Sequence, residues 1–306
     1  MTIASLNRAR IGHILETVVG TTPATPAFAE LPYDKFDVVL SRNTISDNSI
    51  RSDGMARYVL YGDNEIKGSI EVKLTHGYYD LLLQSLARGP WTTNVLKSGT
   101  ATTTGYTLAM EEQHLDISQY IVFNGLLVDS LEVTIPTSGV VTAKFGIVGL
   151  SQSALSATTF TGATWTAATV KNPFTDYGSA GFVKEGGSTV GYVQSLNFKI
   201  DNNYKAEYAA GANVAHDFTM SNRKVTGTVV VFFEDSTMYN KFVSGTASSI
   251  DYKLDNGTNQ LEFNFPNIRY LGVAKSLGGS GAITLSMPFE AIYDGTSTSH
   301  FVITRT

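Results

Sequence analysis

The chain contains no cysteine in its 306 residues, which excludes a disulfide framework and any thiolate-held metal. Charge is scarce as well. Asp, Glu, Lys and Arg make up 16% of the sequence, against about a quarter in an ordinary soluble domain. The 22 basic residues are spread thinly against 27 acidic ones, for a net charge of −5. Nucleic-acid binding draws much of its affinity from basic side chains that neutralise phosphates, so direct gripping of DNA is disfavoured. No apolar stretch approaches the ~20 residues that cross a bilayer, and no membrane anchor is expected. The opening MTIASLNRARIGHILETVV lacks the apolar core and cleavage site of a secretory signal. The plain expectation is a soluble protein made in a cytosol.

Catalytic constellations are also missing. The five histidines (His13, His76, His114, His216, His300) are scattered, with no HExxH or i, i+4 pair. No GxSxG elbow presents a nucleophile. The GGSG run at Gly278–Gly281 lacks the GK[ST] ending of a phosphate loop and sits between two apolar-alternating segments, which reads as a hairpin turn. Asp251, Asp255 and Asn256 loosely approach calcium-ligand spacing, but no Glu completes the loop. Glu111 and Glu112, with Asp116, have no partner carboxylate identifiable by spacing. Asn256-Gly257-Thr258 fits a glycosylation acceptor, which carries little without a signal peptide. The expectation is no catalytic residue, no cofactor site, no metal site and no enzyme.

What is present is a β-forming composition. Apolar residues reach 42%, and the space left by charge is filled by Thr, Ser, Asn and Gly, which suit strands and turns. The chain also repeats itself. FNGLLVDSLEVTIPTSGVVTAKFGI from Phe123 aligns with FPNIRYLGVAKSLGGSGAITLSMPF from Phe265, an offset of 142 residues. Val141, Ala143, Phe145 and Ile147 then fall on Ile283, Leu285, Met287 and Phe289, so the alternation keeps its phase. KGSIEVKLTHGYYDLLLQSL from Lys67 resembles TGTVVVFFEDSTMYNKFVSG from Thr226, an offset of 159. Each block reads as a strand with a glycine second, a polar turn and one helix. Gly89 and Gly245 are candidate helix stops and Ser236 a candidate N-cap. Ile250, Tyr252 and Leu254, then Asp-Asn-Gly, then Leu261, Phe263 and Phe265 read as a hairpin.

These patterns imply an all-β chain with minor α: two tandem, duplicated antiparallel β-sandwich units, each with one short helix. The expected division is an N-terminal arm (1–33), a first unit (34–150), a Ser/Thr/Gly/Ala-rich connector (151–187) and a second unit (188–306). Ser41–Asn64 is a second polar, poorly patterned stretch, long for a loop inside a compact domain.

Several blocks together resemble the tail tube (major tail) proteins of long, non-contractile phage tails. ILETVVGTTPATPAFAELPY (Ile14–Tyr33) resembles that family's opening arm. SNRKVTGTVVVFFEDSTMYNKF (Ser221–Phe242), LEFNFPNIRY (Leu261–Tyr270) and ITLSMPFEAIYD (Ile283–Asp294) resemble later blocks, in order. The resemblance implies a virion tail protein, assembled in the host cytoplasm, that stacks rings into a hollow conduit for DNA. With two units per chain, it implies a three-subunit, pseudo-sixfold ring. It further implies a tape-measure protein in the lumen, tail terminator and tail-tip proteins as partners, and DNA passing without specific binding. Inner-face strands are expected among Gly68–Leu74, Leu126–Ile135, Val225–Phe233 and Ile268–Val273. The arm before Tyr33 and the Ser41–Asn64 stretch are expected as ring-to-ring contacts. The alternative is a two-domain β-sandwich carbohydrate-binding or adhesive module, in which Trp91, Trp165 and some of the 15 Tyr would serve as sugar platforms.

Overall fold

A computed structural model describes residues 3–99, 106–136, 138–175, 181–190, 193–276 and 281–306. The first half carries strands β1 (Ala9–Leu15), β2 (Ala27–Glu30), β3 (Lys35–Phe36), β4 (Val39–Ser46) and β5 (Val59–Lys73), then helix α1 (Asp80–Ala87). It continues with β6 (Val95–Lys97), β7 (Leu108–His114), β8 (Gln119–Ile135) and β9 (Thr142–Gly149). Four short strands follow: β10 (Ser151–Gln152), β11 (Thr164–Thr166), β12 (Phe182–Glu185) and β13 (Ser188–Thr189). The second half carries β14 (Val193–Asp201), β15 (Tyr204–Tyr208), β16 (Ala215–Met220), β17 (Lys224–Phe232) and helix α2 (Thr237–Ser244). Last come β18 (Ser248–Asp255), β19 (Gln260–Tyr270), β20 (Ala274–Lys275), β21 (Thr284–Ala291) and β22 (Val302–Arg305).

One antiparallel sheet runs the length of the molecule. Its order is β3/β4, β5, β9, β8, β14, β17, β21 and β19/β20. The two halves therefore join edge to edge within the chain, through Leu196 opposite Ile135 to Asp201 opposite Ser130. Alternation decides what each face carries. Ile70 and Val72, Phe145 and Ile147, Leu131 and Val133, Phe198 and Ile200, and Met287 and Phe289 are all buried on one face, as period-2 strands require. That face packs on a layer formed by β1, β2, β7 and β18, which β8 and β19 reach by running on past the long sheet. One continuous apolar core spans both halves, from Ile11 and Leu31 to Phe289 and Ile303.

Residues matched by the two sequence alignments are paired across strands as follows. Gly68 lies opposite Ile147 and Gly227 opposite Phe289. Leu127 lies opposite Val148 and Arg269 opposite Glu290, residues separated by the same 142-residue offset. Both glycines are needed where they stand. A Cβ on Gly68 would fall 2.5 Å from Val38 Cα, and one on Gly227 would fall 2.7 Å from the Asn197 carbonyl oxygen.

Several local expectations change. The segment before Tyr33 is not a free arm: β1 pairs along its whole length with β7, and β2 pairs with β1. Ile11, His13 and Phe28 are buried there, and burying them outweighs the freedom of an arm. Ser41–Asn64 is not a loop but most of a hairpin whose limbs are β4 and β5. At the end of α1 the left-handed residue is Arg88 (φ 55), not Gly89, whereas Gly245 (φ 63) ends α2 as read. Ser236 makes no side-chain cap. The Asp235 carboxylate instead accepts the Thr237 N–H at 2.7 Å. The 151–187 stretch contributes β10, β11 and β12, of which β11 lies parallel to β2.

Candidate assembly surfaces

The long sheet has two open edges among the described residues. At one, β3 and β4 pair only with β5. At the other, β20 pairs only with β21. Such edges leave a row of unpaired backbone donors and acceptors, which in a monomer invites aggregation.

The β4–β5 hairpin extends beyond the body of the sheet. Its limbs pair from Val39 opposite Lys67 to Ser46 opposite Val59. Its tip is held locally: the Asp47 carboxylate accepts the N–H groups of Ser49 (2.9 Å) and Arg57 (3.1 Å), and Asp53 pairs with Arg57 at 2.8 Å. At its base, the Tyr208 hydroxyl donates to the Asn64 carbonyl (2.9 Å) and the Asn64 N–H donates to the Asn213 carbonyl (2.7 Å). Ile45, Ile50, Met55, Val59, Leu60 and Tyr61 are nevertheless exposed, Ile50 fully. Large apolar side chains concentrated on one projection mark a contact surface.

The face of the long sheet opposite the core is polar and alternates in sign. Lys35 lies opposite Glu71, Glu71 opposite Lys144, Lys144 opposite Glu132 and Glu132 opposite Lys199. Contacts run within the row and beside it: Lys144 to Glu71 at 3.2 Å, Lys199 to Asp201 at 2.8 Å, Lys73 to Asp34 at 3.6 Å and Lys224 to Glu290 at 3.9 Å. Exposed pairs of this sort add little stability, but they cancel the field that either sign would project.

The internal seam buries α1. Leu82 and Leu86 are fully buried, and groups from the second half satisfy the helix's last carbonyls. Asn202 Nδ2 donates to Leu86 O at 3.0 Å, and the Arg223 guanidinium donates to Leu86 O and Ala87 O at 3.3 Å. Asn202 Oδ1 accepts from Arg223 Nε at 2.6 Å. Burial pulls the Arg223 guanidinium down to about 10, so it remains a cation at neutral pH, at the negative end of the helix. This pair was invisible in the sequence, because nothing local links Arg223 to a helix more than a hundred residues earlier.

The sequence-flagged residues do not converge on a reaction centre. Glu111 is buried and accepts from Gln113 Nε2, Thr159 Oγ1 and Phe160 N, at 2.8–2.9 Å. Glu112 pairs with His114 at 3.1 Å on a strand surface, while Asp116 accepts the Ser5 N–H at 2.6 Å. Asn256 Oδ1 accepts from Thr258 and Asn259, closing the turn between β18 and β19. Burial, helped by nearby Glu262, raises the Asp251 carboxyl. His13 is buried with Nδ1 donating to Ala29 O at 2.9 Å. Gly278–Ser280 lie outside the described residues. Among the described residues, no group of three or more His, Asp or Glu is placed to hold a metal. The two tryptophans are not open platforms. Arg10 stacks on Trp165 at 4.2 Å and Arg305 on Trp91 at 4.3 Å.

An edge-open antiparallel sheet, packed on one face and charge-balanced on the other, with an apolar hairpin projecting beyond it, defines a structural protein that works by association. The chain belongs to the phage tail tube protein family, whose sequence profile matches residues 7–291. It is thus a structural component of the virion tail tube, assembling with itself and with other tail proteins. No curated protein matches it, and nothing favours the carbohydrate-binding alternative.

Proposed function

We propose that three copies of this chain close a ring, and that rings stack into a conduit through which DNA leaves the capsid. The observation that carries this is the long sheet itself, eight strands across and open at both edges. Three copies of eight strands give a closed barrel of 24, and closure removes every edge. The chain is read as two duplicated units, 34–150 and 188–306, joined by 151–187. The recurring registers at Gly68 and Gly227 support that reading, and each unit supplies four of the eight strands.

The polar face lines the bore in this arrangement. Lysines already matched by carboxylates present little net field to phosphate, so DNA slides past without being held. A tape-measure protein occupies the bore before ejection, and terminator and tail-tip proteins cap its ends. Assembly takes place in the host cytoplasm, and the protein has no catalytic role. Axial contacts fall to the β4–β5 hairpin rather than to the segment before Tyr33. That segment is committed to β7, so removing it would strip a strand from the core.

Negative-stain microscopy of the concentrated protein, alone and with tail-initiation proteins, tests the reading. Hollow tubes with a regular axial repeat and threefold-compatible rings are expected. A chain that stays monomeric under both conditions would overturn it.

A further inference from the structure

The internal seam is a template for the contact between copies. At the seam, β14 pairs on one side with β17 and on the other with β8. In the first half, β3 and β4 pair with β5 as β14 pairs with β17: Lys35 lies opposite Glu71 and Val39 opposite Lys67, as Ser195 lies opposite Val230 and Lys199 opposite Thr226. Gly68 meets the Asp37 carbonyl where Gly227 meets the Asn197 carbonyl. The edge strand β3/β4 is thus the counterpart of β14, with one neighbour missing. At the far edge, Ala274 lies opposite Ser286 and Lys275 opposite Leu285, as Glu132 lies opposite Lys144 and Val133 opposite Ala143. β20 is the counterpart of the part of β8 that meets β14, and among the described residues it too lacks that neighbour.

Resting on the ring reading above, we propose that the two open edges pair between copies in the register of the internal seam. Lys199 lies opposite Glu132 inside the chain, so Val39 of the next copy lies opposite Ala274, Leu40 opposite Val273 and Ser41 opposite Gly272. Hydrogen-bond parity agrees at both edges. The Asp37 N–H bonds inward to Ser69 O and the Ser276 N–H inward to Thr284 O. Alternation then points the N–H groups of Val38, Leu40, Val273 and Lys275 outward, which is the pattern one antiparallel ladder needs; the parity shifts only before Val273, where the Leu271 N–H turns inward to Pro288 O. The register sets no like charges opposite each other. Lys275 guards the edge against other pairings, its ammonium held 4.4 Å over the Phe233 ring.

The helices point to the same missing neighbour. α1 at the seam is buried, whereas the equivalent stripe of α2 is open: Leu82 and Leu86 are 0% exposed, while Tyr239 and Val243 are 39% and 65% exposed. The next copy would cover that face as the second half covers α1.

Because the chain lacks cysteine, an engineered pair reports the register directly. Val39 and Ala274 form a non-hydrogen-bonded pair in this register, with Cα atoms about 4.5 Å apart, inside disulfide range. Val39→Cys/Ala274→Cys tubes, oxidised and run without reductant, should yield cross-linked species ending at three copies. Val39→Cys/Lys275→Cys should stay uncross-linked, because a one-residue slip points the sulfurs to opposite faces. Normal tubes without the first cross-link, or with the second, overturn the register while leaving the ring reading standing. Absence of tubes from the unmodified chain overturns the ring reading itself. Should the double variants not assemble, hydrogen exchange on the unmodified chain decides. The amides of Val38, Leu40, Val273 and Lys275 should slow at least about tenfold between subunit and tube. Unchanged exchange in intact tubes overturns the proposal.

Discussion

Gly68 and Gly227 are required by close packing rather than by backbone angle. Each sits where a neighbouring strand's backbone passes too near for a Cβ. Gly68→Ala is expected to cost about 2–4 kcal/mol, because the obstacle is main chain that cannot rotate away. Gly227→Ala should cost a similar amount, since its Cβ would meet the Asn197 carbonyl oxygen at 2.7 Å as well as the Phe289 ring. Urea unfolding of the subunit measures both, and midpoints unchanged from wild type would refute the packing argument. His13 gives a pH dependence with a definite sign. Burial lowers its pKa from 6.5 to about 4, against a smaller opposing effect of the Ala29 carbonyl. The unfolded chain takes up the proton first, so stability falls as pH drops from about 6.5 towards 4, by at most about 3 kcal/mol. Glu16 acts in the opposite direction, because burial raises its carboxyl. A His13→Gln variant should lose the decline across that window, read as urea midpoints at pH 7 and pH 4.5.

At the scale of elements, α1 shows how a helix of eight residues is held. It is far too short to persist alone. Its apolar side is buried against β8 and the seam, and its C-terminal carbonyls are satisfied by Asn202 and Arg223 from beyond the seam. Arg223→Ala leaves the Ala87 carbonyl with only the Gly99 N–H (2.7 Å), removes the donor that holds Asn202 Oδ1, and opens space beside Phe301, over whose ring the guanidinium lies at 5.7 Å. A loss of about 2–3 kcal/mol is expected, with α1 amides exchanging faster than those of β17. Equal exchange in both would show that the cap does not hold the helix. α2 has the same length and a matching stop at Gly245, yet none of its residues is buried. The difference lies in what each helix is covered by, not in its own sequence.

For the whole molecule, the ring proposed above would divide labour between a sheet that closes laterally and a hairpin that reaches axially. Replacing residues 48–57 by a short Gly-containing turn should leave the β4–β5 ladder and the core intact, since Asp47 and Tyr58 already face each other there. Subunit stability should change by less than about 1 kcal/mol, while tubes shorten or fail to grow. Sedimentation and electron microscopy together read this outcome. Tubes of normal length from that variant would remove the hairpin from the axial contact.

The alternation of Val141 to Ile147 and Ile283 to Phe289, the Asp-Asn-Gly turn and the glycine ending α2 at Gly245 determined strands, turns and a helix stop by local rules. Each depends on residues within a few positions of one another. The same locality made the matched alternation of Val141–Ile147 and Ile283–Phe289 legible, since phase is kept when one face must stay buried. What only the tertiary structure decided concerns partners far apart in the chain. β1 joins β7 across about a hundred residues, Ser41–Asn64 becomes a paired hairpin, and β14 joins β8 to fuse the halves into one sheet. An edge strand and an interior strand carry the same alternating pattern. Which of them finds a neighbour is set by loop lengths and by competition for the core, and that is settled only when the chain folds.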